Sequence, residues 1–286
     1  PRWCESTACN VEAHSACLAQ LNKFRSALGK PALVTSCSAS PPVHSALLYW
    51  FSGHAGVDGN LADMWVSGTG TLCYERDTHN GVEQDLLRDG VYEADIRLIR
   101  SGKVDRGLLS VPCNTFSVSR FRKHPRVKVL RTKEHIMKVP GLTGSSLAAV
   151  NVSNILVTRS CNAMLELHAR GGLFIAENPV RRNDGSGPWK RFDSKKFPSH
   201  GSFWQHPEVR TVAARTGARV VHVPLCYFST AVDDGGMCDD PQKYISLMCS
   251  KEVYPSLAFL DKCRCTHSGH RTQAVGFDFG EDGDSV

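Results

Sequence analysis

The residues best suited to chemistry are a cysteine and a glutamate, each closing an apolar run. Cys113 lies in Pro112-Cys113-Asn114-Thr115-Phe116-Ser117, where the run 105–111 meets a proline and delivers the thiol to a sharp turn. A thiolate beside cations is a strong nucleophile near neutral pH, and Arg120, Arg122 and Lys123 follow closely. Glu177 lies in Phe174-Ile175-Ala176-Glu177-Asn178-Pro179. A carboxylic acid in a dry pocket has its pKa raised and holds a proton near neutrality. The plain alternatives are an inert buried thiol and a strand terminator.

Two further features suit a cofactor. In Trp50-Phe51-Ser52-Gly53-His54-Ala55-Gly56 an apolar run breaks into a turn whose glycines let the backbone approach a ligand closely. Glu75 ends the next run, where an acid can accept ribose hydroxyls, and Asp85 follows in Gln84-Asp85-Leu86. Solvated surface acids are the alternative.

These motifs need a scaffold that brings strand ends to one edge. Runs at 47–51, 71–74, 105–111, 173–177, 219–225 and 244–249 read as strands, and 60–66, 145–170 and 207–216 as helices. The clearest is 145–170, where Leu147, Val150, Val157, Cys161, Met164 and Leu165 recur at helical spacing before Gly171-Gly172. The alternation predicts an α/β fold: a mostly parallel sheet with helices on both faces and ligands at the carboxyl ends of the strands. It divides the chain into a Cys-rich appendage at 1–45, a catalytic domain at 46–250 and a Cys/His-rich tail at 251–286.

With 286 residues and 41% hydrophobic content, the chain can bury one large core. No apolar run approaches the ~20 residues that span a bilayer, so no membrane partner is expected. The start at Pro1, without Met or a basic-then-apolar leader, reads as a processed chain or a fragment. Thirty-four Lys and Arg against 28 Asp and Glu leave +6, and basic residues gather in loops 120–138 and 181–196, where phosphates could meet them. Such loops are as commonly plain solvated surface. Twelve cysteines in this α/β pattern favour a reducing, nuclear or otherwise intracellular compartment over a disulfide framework. Two clusters have spacings suited to zinc: Cys4, Cys9, His14 and Cys17, and Cys263, Cys265, His267 and His270, the latter with Cys238 or Cys249 as further partners in space. Free thiols and surface histidines are the alternative.

Taken in chain order, Phe51-Ser52-Gly53, Glu75, Asp85, Pro112-Cys113 with Phe116-Ser117, and Glu177-Asn178 resemble the motifs of the cytosine-C5 DNA methyltransferases. The family's versions are Phe-x-Gly, a ribose-binding Glu, an adenine-contacting Asp, Pro-Cys-Gln-x-Phe-Ser and Glu-Asn-Val. Pro241-Gln242-Lys243-Tyr244 is similar to its Pro-Gln-Arg-Arg segment, with Lys243 as the cation. Asn114 stands where the family has Gln, and Pro179 where it has Val. The resemblance spans residues 46–250 and implies a Rossmann-like class I fold that binds S-adenosylmethionine through Phe51, Ser52, Gly53, Gly56, Glu75, Asp85 and Pro112. It implies that Cys113 adds to C6 of an unstacked cytosine while Glu177 stabilises the protonated N3, after which C5 takes the methyl group. Asn114, Ser117, Arg120, Arg122, Lys123, Asn178, Arg181, Arg182 and Lys243 would then meet DNA, or RNA in an alternative reading. A third reading keeps the fold and nucleic-acid binding without turnover. The 36 residues after Ser250 are too few for the family's large recognition domain, so another domain or protein is expected to supply specificity.

Overall fold

Alternating or continuous apolar runs become strands here, and the amphipathic segments between them become helices. The computed structural model describes residues 46–53, 61–121, 127–182, 197–228, 236–238 and 243–270. In chain order the elements are β1 (Leu47–Trp50), α1 (Leu61–Thr69), β2 (Cys73–Arg76), α2 (Asp89–Arg100), β3 (Arg106–Leu109), α3 (Gly144–Ala169), β4 (Leu173–Pro179), α4 (Pro207–Thr216), β5 (Arg219–Pro224), β6 (Met237–Cys238), β7 (Tyr244–Cys249), α5 (Tyr254–Leu257) and β8 (Gly269–His270). Six strands form one sheet in the order β2-β1-β3-β4-β7-β5. β1 pairs parallel with β2 and β3, and β3 with β4, whereas β7 lies antiparallel between β4 and β5. The sheet is therefore mixed, with β7 running against the other five, and the architecture is α/β.

Pleating sends alternate residues to opposite faces. Leu48, Trp50, Leu109, Phe174, Ala176 and Met248 meet Ile96, Ile99, Val157, Met164, Leu167 and Val212 from α2, α3 and α4 in the larger core. Each such side chain contributes ~1.5–3 kcal/mol on burial. On the other face Val221, Val223 and Ile245 pack against Leu260 and Cys263, with Tyr254 and Leu257 of α5 beside them. Residues 254–263 thus share the sheet's core and are not a separate tail. Among the described residues no helix is long and apolar enough to cross a membrane.

The long α3 buries Val150, Ser153, Val157, Ser160, Cys161, Met164 and Leu167, a stripe repeating every three or four residues. Gly171 ends it with φ 74, and a Cβ on Gly172 would stand 2.6 Å from the Asp105 carbonyl oxygen. α4 opens on Pro207 and closes at left-handed Gly217, φ 65. Both α4 and β7 occupy the expected spans. β2 begins two residues later than the expected 71–74, because apolar Leu72 is 59% exposed outside the sheet. α2 was not anticipated, since its stripe of Val91, Tyr92, Ile96 and Ile99 is interrupted by Asp95. That carboxylate is fully buried yet satisfied: it accepts hydrogen bonds from Trp50 Nε1 at 2.8 Å and Arg76 Nη2 at 2.6 Å.

Candidate active site

The chain leaves β1 toward β2 on one side and returns through β3 on the other. In an open α/β sheet this switch point opens a crevice at the carboxyl ends of the strands. Phe51 follows β1 at φ 63, a left-handed conformation costly for a residue with a side chain, and Gly53 adopts φ 79. Asp77, just past β2, holds the turn: the Gly53 N–H donates to its Oδ2 at 2.9 Å, and Asn80 Nδ2 donates to the Gly53 carbonyl at 2.9 Å. Beside the turn lies a cleft of about 430 Å³ lined by Phe51, Asp77, Asp85, Pro112, Val152 and Leu156.

Three of the residues expected to bind a donor, Phe51, Asp85 and Pro112, therefore line one cleft, with Ser52 and Gly53 in the turn at its edge. Gly56 lies outside the described residues. Glu75 does not line the cleft. Burial raises its carboxyl pKa, the nearby Ser52 hydroxyl opposes the rise and Asp63 adds to it. Asp77, two residues on, lines the cleft together with Asp85. Its signal was legible as Asp77-Thr78-His79-Asn80, an aspartate capping its own turn through the His79 N–H at 2.9 Å.

β3 and β4 pair side by side, so Cys113, after β3, and Glu177, in β4, belong to neighbouring strand ends. Burial raises the Cys113 thiol, the Lys243 ammonium opposes this, and Glu177 adds to it. Burial likewise raises Glu177, again opposed by Lys243. The charges of Glu177 and Lys243 thus both bear on Cys113, and that of Lys243 on Glu177, in partly buried surroundings where Coulomb interactions are less screened than in water. The antiparallel β7 makes this possible: it brings Lys243, at its start, to the edge where β3 and β4 end. Tyr49 is raised chiefly by burial, its hydrogen bond with Ser110 opposes this, and the charges of Glu75 and Glu177 add to the rise.

Among the described residues Lys243 is a cation whose charge bears on Cys113, one that the expectation for the basic loop 120–138 did not include. Arg120 Nε donates to the Asn114 carbonyl at 2.5 Å and its Nη1 to the Lys128 carbonyl at 3.4 Å, so this guanidinium braces the turn. Arg122 and Lys123 lie outside the described residues. Asn178 also differs from its expected role as a nucleic-acid contact. It is 1% exposed and its Nδ2 donates to the Val111 carbonyl at 2.8 Å, tying β4 to the strand end that precedes Cys113. Asn114 is exposed, and the Ser117 and Ser119 hydroxyls share a hydrogen bond of 2.6 Å.

Two buried side chains that sequence reasoning missed fix the same turn. Arg131 looks like one more cation of a basic loop, yet it is 1% exposed. Its Nε donates to Thr115 Oγ1 at 3.0 Å, its Nη1 to the Ile136 carbonyl at 2.8 Å and to Asn154 Oδ1 at 2.8 Å, and its guanidinium lies 4.0 Å from the centre of the Phe116 ring. Burial lowers its pKa to about 10. His200 Nδ1 accepts from the Arg182 N–H at 3.3 Å, so its Nε2 carries the proton and donates to the Phe116 carbonyl at 2.8 Å. Burial drives its pKa from 6.5 down to about 4, and the ring is neutral. Arg181 and Arg182 are half-buried, and Arg181 lines a second cavity of about 580 Å³ with Lys133 and Arg210.

Of the expected C-terminal zinc ligands, Cys265 and His267 stay together, Cys263 and Cys249 are not in their cluster, and the Cys238 side chain lies outside the described residues. Cys263 belongs to the smaller core and its Sγ donates toward the Phe259 carbonyl at 3.8 Å, while Cys249 Sγ donates toward the Arg219 carbonyl at 3.6 Å. Cys265 and His267 are joined instead by Cys226, from the turn that follows β5, and these three side chains could hold a metal ion. The His270 side chain and the cluster of Cys4, Cys9, His14 and Cys17 lie outside the described residues. Compared with protein-family models and with curated proteins, the chain matches none.

Proposed function

We propose that this chain is a Rossmann-like class I methyltransferase that methylates C5 of cytosine in DNA through a covalent adduct at Cys113. The observation that carries the reading is that the charges of Glu177 and Lys243 bear on Cys113 at neighbouring strand ends, one residue from Pro112, which itself lines the cleft beside the Gly53 turn. The switch point between β1 and β3 supports the fold assignment.

The cleft fits an adenosyl group. Phe51, Pro112 and Leu156 offer apolar walls, Asp77 and Asp85 offer acceptors for hydroxyls and an amine, and about 430 Å³ lies within the range of small-ligand pockets. S-adenosylmethionine held there supplies an electrophilic methyl group. Cys113 would lose its proton to solvent, and its thiolate, favoured by Lys243, would add to C6 of the cytosine. Glu177, which burial keeps protonated to higher pH, would give its proton toward N3, so that C5 becomes nucleophilic and can take the methyl group. Loss of the C5 proton to solvent and expulsion of the thiolate would then restore the 5,6 double bond and free the enzyme, with N3 returning its proton to Glu177. The base has to leave its stack to reach Cys113. Lys133, Arg181 and Arg210 around the second cavity offer cations for the phosphates, and a DNA substrate would be met in a nucleus or another intracellular setting.

The test is incubation with labelled S-adenosylmethionine and DNA carrying 5-fluorocytosine, with an RNA arm in parallel. A DNA–protein complex that survives denaturation and disappears in Cys113→Ser is expected. If the protein binds DNA and donor yet traps nothing, the catalytic reading fails; trapping on RNA alone changes the substrate.

A further inference from the structure

Cys226 is fully buried in the turn Leu225–Phe228, at the carboxyl end of β5, while Cys265 and His267 come from the segment after the turn Ala258–Lys262. The three ligand atoms all lie within 4.8 Å of one another, and Cys265 Sγ is 3.6 Å from His267 Nδ1. Around a tetrahedral zinc, with Zn–S near 2.3 Å and Zn–N near 2.05 Å, a sulfur and a nitrogen stand roughly 3.6 Å apart and two sulfurs roughly 3.8 Å. The Cys265–His267 pair already has that spacing, and Cys226 comes into position with a shift of about 1 Å or less. Neither cysteine is in a disulfide. Two thiolates and an imidazole select zinc over hard cations such as magnesium or calcium.

The surroundings give such an ion something to hold. The C-terminal segment meets the rest of the fold here through the two-residue β6–β8 ribbon, a Ser268 N–H to Gly236 carbonyl bond of 3.0 Å and a Cys265 N–H to Tyr244 hydroxyl bond of 3.4 Å. A ribbon this short is marginal by itself in water. Tyr244 adjoins Lys243, the cation that bears on Cys113.

We propose that Cys226, Cys265 and His267 bind one zinc ion, which clasps the C-terminal segment to the end of β5 beside Lys243. The two thiols give up their protons to solvent as the ion binds, so uptake weakens in acid. The proposal stands independently of methyl transfer.

The experiment uses the full chain purified under reducing conditions, loaded with zinc, freed of excess and measured for metal per chain by elemental mass spectrometry. Because other cysteines can carry zinc, the reading is a difference. Cys226→Ser with Cys265→Ser is expected to hold one equivalent less than the wild type, whereas Cys263→Ala keeps the full complement. Cobalt loading needs no variant: the wild type should show thiolate-to-cobalt charge transfer and tetrahedral d–d bands, and proteolytic mapping should find Cys226 and Cys265 protected from alkylation by the metal. Equal metal content in wild type and double variant, alkylation of both thiols unaffected by metal, or a Cys226–Cys265 disulfide in protein from a reducing cytosol would each overturn it.

Discussion

Acid should loosen this protein through two histidines that the fold buries in neutral form. His200 is 1% exposed and His206 is fully buried, and burial lowers each pKa from 6.5 to about 4. Both pack on Phe116, in the turn that carries Cys113: His200 through its hydrogen bond to the Phe116 carbonyl, His206 edge-on to its ring at 6.4 Å. The unfolded chain binds protons that the folded chain refuses, so stability is complete above 6.5 and is lost as pH falls from 6.5 toward 4. Between about pH 7.5 and about pH 5 the linkage relation gives a loss of ~2 kcal/mol per histidine, ~4 kcal/mol for both, a large part of a domain's 5–15 kcal/mol. Gln at 200 can make both hydrogen bonds without titrating, and Leu at 206 replaces a ring whose two nitrogens find no hydrogen-bond partner among the described residues. Urea unfolding followed by tryptophan fluorescence at the two pH values measures the change. The His200→Gln/His206→Leu double variant should lose ~4 kcal/mol less than the wild type over that interval. An equal loss in both proteins would show that the histidines are not held neutral, and the reasoning about the turn would fail.

Other outcomes follow from the same geometry. Lys243→Met should move the pH midpoint of Cys113 alkylation upward and Glu177→Gln should move it downward, since the first removes the charge that favours the thiolate and the second one that opposes it; peptide mapping by mass spectrometry resolves Cys113 from the other thiols. Asp95→Ala leaves the Arg76 guanidinium and the Trp50 indole N–H without their acceptor, and should cost ~3–5 kcal/mol in denaturant unfolding. Asp77→Ala frees the Gly53 turn and should weaken S-adenosylmethionine binding about tenfold or more by calorimetry, the equivalent of one charge-assisted hydrogen bond, and should cost ~1 kcal/mol in urea unfolding through the lost cap.

What the sequence made legible was mostly local. Pro207 and Gly217 bracket α4, and the Leu173–Pro179 strand is continuous apolar chain up to Glu177, so their spans could be read without any partner. Burial of a charge broke that legibility. Asp95 interrupted the stripe of α2, and Arg131 passed for a phosphate-binding cation although its hydrogen bonds lie in a carbonyl-lined interior. A thiol and a carboxylic acid at two strand ends could be read from the sequence, but the charge of Lys243 on Cys113 could not, because it depends on the reversed pairing of β7 with β4. Cys226 was overlooked for the same reason, since its nearest metal-ligating neighbours lie beyond β7 in sequence.

The most direct measurement of the central claim is peptide mapping of the species trapped on 5-fluorocytosine DNA in the presence of S-adenosylmethionine. The account predicts one modified peptide, carrying the methylated nucleotide on Cys113, with yield reduced in Glu177→Gln and in Lys243→Met. A nucleotide attached to any other cysteine, or full yield after Cys113→Ser, would contradict it.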